Sequence, residues 1–225
     1  GHPRYETSVL AKDLGIPVVT VQHHYGHILS CMAENGVTHP VIGVAFDGTG
    51  YGDDGTIWGG EILISHLHGY ERFSSVTPFW QYGGDVSSRD GWRIASSLIY
   101  ERTTRSEDVV KALGLCEERE FKAQQFLYRN HMNGVVSTSA GRLFDGVSAI
   151  LGICTSSTFE GEGAMKLQFA AMQGRSSFTD SYKGPLLLED GHLATTDLVQ
   201  YIWEQRLAGA GTMNRYQSRL IFLWN

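Results

Sequence analysis

The feature that most restricts the fold of this chain is the stretch Phe46-Asp-Gly-Thr-Gly-Tyr-Gly-Asp-Asp-Gly-Thr-Ile-Trp-Gly-Gly-Glu61, in which six of sixteen residues are glycine. Glycine loses more backbone freedom on ordering than any other residue, so the segment needs regular structure on either side. Residues 41–46 and 61–65 are β-rich, and the polar stretch 47–60 between them predicts a β-hairpin. Three known loops fail here. Gly50-x-Gly52-x-x-Gly55 matches a dinucleotide fingerprint by letter, but strand-like residues 57–64 follow where a helix is required. There is no Walker A lysine, and a calcium loop counted from Asp47 meets Trp58 where it needs Glu. What remains is a hairpin whose glycines let backbone N–H groups approach an anion, with Asp47 at the strand end and Thr49 as a hydroxyl donor. The alternative is an ordinary glycine-rich turn, in which Asp53 and Asp54 are solvated turn residues.

The flanking pattern is α/β. Residues 8–14 predict a short helix, 16–21 a buried strand, and 23–35 a helix stopped by Gly36. From residue 85 the pattern turns helical, over 85–100, 106–113, 117–131, 140–151 and 161–173. Residues 186–193 predict a hairpin turning at Asp190-Gly191 as a type I′ turn, and Thr196 or Asp197 is expected to cap a last amphipathic helix. The coarse division is a first α/β lobe over 1–84 and a mainly helical part over 85–225.

Two clusters carry chemistry. In Val-Gln-His23-His24-Tyr-Gly-His27 the first and last histidines are four apart, so on a helix both imidazoles share one face. Such a pair suits Zn²⁺ or Fe²⁺ with a carboxylate from elsewhere, while histidines satisfied by ordinary hydrogen bonds are the plainer reading. The peptidase motif H-E-x-x-H is not met, because His24 stands where its Glu would be. In Thr138-Ser-Ala-Gly-Arg-Leu-Phe-Asp145, Ser139 is a candidate N-cap and Gly141 permits a close backbone approach to a ligand. Arg142 and Asp145, three apart, fit a surface ion pair as well as a functional one. Gly161, ahead of another helix, leaves room for a base or ribose, and Glu160 and Glu162 complement that helix's dipole.

Bulk properties exclude more than they assign. With 42% hydrophobic and 19% charged residues the composition is that of a soluble globular protein, and no apolar run reaches a membrane-spanning length. A net charge of −6 argues against a nucleic-acid partner. Three cysteines, Cys31, Cys116 and Cys154, never form a C-x-x-C pair, which fits a reducing cytosol. The opening Gly-His-Pro-Arg-Tyr-Glu has neither an initiator Met nor a signal-peptide pattern, so an excised piece of a longer protein is expected.

Taken in order, these segments resemble the HypF hydrogenase-maturation family. Its pattern runs V-Q-H-H-H-A-H, D-G-T-G-Y-G-x-D-G-x-I-W-G-G-E, S-S-A-G-R-x-F-D-A and Y-E-G-x-A-A-M; here these stand at residues 21–27, 47–61, 138–146 and 159–165. Gly83-Gly-Asp85 and Trp92-Arg93 also look like the family's G-G-D and W-R-M-A segment. The resemblance implies an actin-like (ASKHA) α/β module, similar to the threonylcarbamoyl transferases, that binds a carbamoyl adenylate. It implies that a separate YrdC-like domain makes this adenylate from carbamoyl phosphate and ATP. The acceptor would be the C-terminal cysteine of HypE, and the product would become the cyanide ligand of [NiFe]-hydrogenase. By resemblance His23 and His27 hold a divalent metal, Asp47, Gly48, Thr49, Gly50, Tyr51 and Gly52 surround the carbamoyl and phosphate, and Asp145 and Gly161 contact the ribose.

Tyr25, Gly26 and Gly146 depart from the pattern, none at an implied ligand. The family's later G-G-V-F-Q-N and N-D-G-G segments, the latter implying a carboxylate metal ligand, do not occur before Asn225. The third ligand is therefore expected beyond Asn225, and the isolated chain is expected to be inactive in carbamoyl transfer. A small-molecule O-carbamoyltransferase and a non-catalytic metal and nucleotide scaffold are the alternatives.

Overall fold

The computed structural model describes residues 5–174, 184, 186–188 and 190–209. Helix α1 (Glu6–Asp13) buries no residue, whereas α2 (His23–Glu34) buries His24, Tyr25, Ile28 and Met32. Tyr25, Ile28 and Met32 lie on the hairpin of β1 (Val41–Tyr51) and β2 (Ile57–His66), and with Ala45 and Leu63 they make a small core. Gly43 lets α2 sit this close, since a Cβ there would come within 2.3 Å of Ile28 Cδ1. Strand β3 (Gly69–Ser75) continues the meander antiparallel to β2. β4 (Phe79–Tyr82) reaches the sheet through β5 (Gly134–Ser137), which runs parallel to β2, in the order β1-β2-β5-β4 with β3 also on β2.

Five helices follow β4, interrupted by β5: α3 (Gly91–Arg102), α4 (Ser106–Leu113), α5 (Glu118–Asn130), α6 (Ala140–Ile150) and α7 (Glu162–Gly174). With α8 (Thr195–Leu207) they enclose the larger core around Leu98, Ile99, Leu143, Val147, Ile150, Leu167 and Trp203. Phe79 and Tyr82 join this core, and β5 carries the sheet past residue 84. No helix among the described residues is long and apolar enough to cross a membrane.

Several elements differ from the sequence expectation. Residues 16–21 form no strand, and Ile16 and Val19 are 63% and 87% exposed. A β-branched run favours extended backbone, but only a neighbouring ladder makes it a strand. The glycine stretch is mostly strand, for β1 runs to Tyr51 and β2 starts at Ile57; Gly52 N–H donates to Thr56 O to close the short turn. Strands β3, β4 and β5 were not expected. The helix expected over 85–100 is divided: a short 3-10 turn (Gly84–Ser88) ends at Arg89, and α3 starts only at Gly91, after the non-helical Asp90. The hairpin expected over 186–193, of which residue 189 lies outside the described residues, is present: Leu187 and Leu193 form an antiparallel bridge, Leu188 N–H donates to His192 O, and Gly191, with φ of +85°, donates its N–H to Leu188 O. Ala194 is the N-cap of α8 and gives no side-chain bond; Thr195 Oγ1 instead accepts from Thr77 N–H, and Asp197 pairs with Arg102.

Candidate metal and nucleotide site

Gln22 caps α2 by accepting the Tyr25 N–H at 3.0 Å, and the first helical turn then presents the histidines to the hairpin. His23 Nε2 lies 2.9 Å from Asp47 Oδ2 and 3.2 Å from His27 Nε2, while His27 Nε2 is 3.9 Å from the same Asp47 oxygen. The three donor atoms lie within 4.8 Å of one another, and both histidines are exposed to solvent. Ligands about 2.0–2.1 Å from a tetrahedral ion stand roughly 3.3 Å apart, so two imidazoles and a carboxylate at these spacings fit a divalent cation. Asp47 thus stands as the carboxylate that a pair of imidazoles calls for, apart from the ligand that the resemblance implies beyond Asn225.

His24 lies on the buried side of the same cluster. It is fully buried, and a Cβ on Gly50 would come within 2.3 Å of its ring, so this glycine makes room for His24. Burial holds the His24 pKa below the usual histidine value, against the opposing pull of Glu61 and Asp47. Gly52 makes room for the Trp58 ring in the same way. Of the remaining hairpin residues, Thr49 donates its hydroxyl to Gly48 O, and Tyr51 O accepts from Gln22 Nε2. The ladder register shifts between Phe46 and Gly50, so Asp47, Gly48 and Thr49 stand in an irregular stretch of β1.

The tip of the hairpin is more tightly bound than solvated turn residues would be. Asp54 Oδ1 accepts from Thr56 N–H at 3.0 Å and Trp58 Nε1 at 3.0 Å, and its Oδ2 pairs with Arg72 Nη1 at 3.0 Å. Asp53 accepts the Tyr70 hydroxyl. Arg72 lies 4.2 Å over the Trp58 ring and bonds Glu61 Oε2 at 2.8 Å. Glu61, which sequence reasoning passed over, is fully buried and accepts from Gly59 N–H, Gly60 N–H and the Thr138 hydroxyl. Its signal was present: Glu61 falls in phase with Leu63 and Ser65 on the buried face of β2.

Helix α6 closes the other side. Ser139 is its N-cap, accepting from Arg142 N–H at 3.0 Å and donating to Gly48 O at 2.6 Å. The expected room beside Gly141 is taken by the hairpin, since a Cβ there would lie 2.8 Å from Gly48 Cα. Arg142 donates to Ser88 O, and its Nη2 is 2.9 Å from Asp145 Oδ2. This pair is buried, not a surface contact. The approach is off the N–H axis, so Asp145 Oδ2 has ion-pair attraction without an aligned hydrogen bond. Asp145 Oδ1 packs on Gly163, and Gly161, with φ of +76°, borders open space.

Burial pushes the Asp145 carboxyl up from 3.8 to about 6, with Arg142 pulling it down. The folded protein therefore binds this proton more tightly than the unfolded chain does. Its contribution to stability is fully present below about pH 4 and is lost as pH rises through about 6, a change on the order of 3 kcal/mol. Thermal melts from pH 4 to 7 should show a falling component that Asp145→Asn removes. Parallel profiles for the two proteins would refute this.

The fold and site define a mixed α/β module in which a His-His-Asp cluster adjoins a helix N-terminus. Residues 43–220 match the family described as carbamoyltransferase, Kae1-like domain, second subdomain, and residues 1–34 match the HypF Kae1-like domain. The chain belongs to the HypF carbamoyltransferase family. The "Probable carbamoyltransferase HypF" of Methanocaldococcus jannaschii is 32% identical over 215 residues, covering 92% of this chain and 27% of that protein. The carbamoyltransferase HypF of Rhodobacter capsulatus is 37% identical over 180 residues, covering 76% and 24%. Among solved structures, a full-length HypF in the phosphate- and nucleotide-bound form matches with a TM-score of 0.83 at 30% identity, over 97% of this chain and 34% of that one. The HypF of T. kodakarensis matches with a TM-score of 0.81 at 29% identity, covering 97% and 29%. The chain spans about a quarter of the length of these curated relatives.

Proposed function

We propose that this chain is the carbamoyl-transfer module of a cytosolic hydrogenase-maturation protein. It takes an ATP-derived carbamoyl adenylate and passes the carbamoyl group to the C-terminal cysteine of HypE, as precursor of the cyanide ligand. The observation that carries this reading is the convergence of His23, His27 and Asp47 beside the N-terminus of α6. His23, His27 and Asp47 would hold Zn²⁺ or Fe²⁺. When bound, that ion supplies Lewis-acid polarisation of the carbamoyl carbonyl.

The chain's own groups orient the substrate. Residues 47–52 and Ser139 form one wall against the carbamoyl and phosphate, with Arg142 as the nearby cation. Asp145, with an oxygen lacking an aligned donor, and Gly161, beside open space, receive the ribose. The acceptor sulfur forms the new bond to the carbamoyl carbon, the bond from that carbon to the phosphate oxygen breaks, AMP departs, and the thiol proton leaves to solvent.

The test gives preformed carbamoyl adenylate and HypE to a full-length HypF-family protein carrying this chain. Mass spectrometry should find a thiocarboxamide on the HypE terminus, and His27→Ala should abolish it. Carbamoylation of a small hydroxyl compound in place of the thiol would replace HypE as acceptor, and tight adenylate binding without transfer would favour a scaffold.

A further inference from the structure

The cluster of three histidines holds one that no ligand role accounts for. His24 is fully buried, its Nε2 has no hydrogen-bond partner, and that atom stands 3.7 Å from Asp47 Oδ2. A buried polar nitrogen without a partner costs roughly 1–3 kcal/mol, so a donor or acceptor left in this state calls for an explanation.

The surrounding bonds fix which kind of group it is. Gln22 Oε1 accepts the Tyr25 N–H, which sets the amide so that Nε2 is the donor end. That Nε2 lies 3.3 Å from Tyr51 O, an acceptor only, and 3.2 Å from His24 Nδ1. His24 Nδ1 therefore presents its lone pair, and the neutral ring carries its proton on Nε2. The unpartnered atom is an N–H, 3.7 Å from Asp47 Oδ2.

We propose that His24 is a positioning residue, whose Nε2–H orients the Asp47 carboxylate for the cation and whose tautomer is locked by Gln22. This rests on the metal-site reading above. His23 Nε2 is now within 2.9 Å of Asp47 Oδ2, but a ligand imidazole must offer its lone pair to the cation and so cannot donate to that oxygen. His24 is then the imidazole left with a proton for Asp47. Asp47 Oδ1 is held independently by Gly48 N–H at 2.6 Å, so the two oxygens have separate donors. The arrangement also explains Gly50, since any side chain there would displace the His24 ring.

The experiment uses the whole 225-residue chain, with Zn²⁺ as the probe in competition against a chromogenic chelator. His24→Phe keeps a ring without a donor and should weaken Zn²⁺ binding about 10–100-fold, the usual effect of losing a group that orients a ligand. His24→Gln, whose amide can donate, should recover most of the loss, while melting of the metal-free variants monitors packing. Nitrogen-15 NMR of the metal-free chain should find the His24 proton on Nε2 in the native protein, and Gln22→Glu should move it to Nδ1. If native His24 is protonated on Nδ1, or if Phe binds Zn²⁺ as well as the native chain, the positioning role is wrong. Equal loss in Phe and Gln with equal melting shifts also overturns it, leaving His24 as packing. Failure of the native chain to bind Zn²⁺ would remove the metal-site reading itself, and this proposal with it.

Discussion

Substituting His23 or His27 with Ala should lower Zn²⁺ affinity by more than about 100-fold, beyond what loss of a group that only orients a ligand produces. Each removes one of the three donor atoms that lie within 4.8 Å of one another, and two remaining ligands cannot fix a four-coordinate geometry. His24→Ala should cost less, because His24 supplies none of the three donor atoms and only packs against His23 and Asp47. The order of effects distinguishes a built site from an accidental cluster of histidines. Metal analysis after dialysis, with the same titration, checks it; equal retention by all three variants would dismiss the assignment. Both His23 and His27 are exposed, so neither substitution should lower the melting temperature of the metal-free chain appreciably.

Replacing Arg72 with Met should destabilise the fold by roughly 2–3 kcal/mol, between the cost for an exposed and for a fully buried ion pair, since Glu61 is buried while Arg72 is 28% exposed. Glu61 is fully buried and would keep its backbone and Thr138 donors, but no cation would remain at 2.8 Å from Oε2. Methionine replaces the aliphatic stem but not the guanidinium, so the loss includes the ion pairs to Glu61 and Asp54 and the cation–π contact 4.2 Å over the Trp58 ring. Removing both charges, with Glu61→Gln beside Arg72→Met, should recover part of the loss, because an uncharged amide tolerates burial better than a lone carboxylate. Denaturant melts of the three variants give the comparison. A cost under about 1 kcal/mol for Arg72→Met, as for a surface pair, would show that Arg72 braces nothing.

How much of this was legible in the sequence depends on the range of the interactions involved. The His23–His27 pair was readable because a helix places i and i+4 together whatever surrounds it. The hairpin was readable from its β-rich flanks, and Ser139 from its place before an apolar helical run. Helix α4 (Ser106–Leu113) has the predicted bounds, its end marked by Gly114 in the left-handed region. Asp47 as a partner of the histidines was not readable, because it depends on α2 packing across β1 through Gly43 and Ile28. Strand β5 has only four residues, and its identity as a strand comes from β2 and β4 on either side. Residues 16–21 erred in the other direction: their β-branched composition specifies an extended backbone and leaves the neighbour unspecified.

The junction between β2 and β5 consists of one register pair, Ile57 with Ser137, reinforced by Thr138 N–H to Ile57 O and Ser139 Oγ to Gly48 O. Its contacts close a loop of about 80 residues, for which chain entropy alone costs roughly 4 kcal/mol. The histidines and the hairpin, by contrast, are joined across only 24 residues. Opening at this seam would carry α6, with Arg142 and Asp145, away while α2 stays on its hairpin. If the site binds as proposed, its two halves would open separately, so that a cation could stay bound through excursions that release a nucleotide, and amide exchange around Ser137–Ser139 should run ahead of exchange in β1.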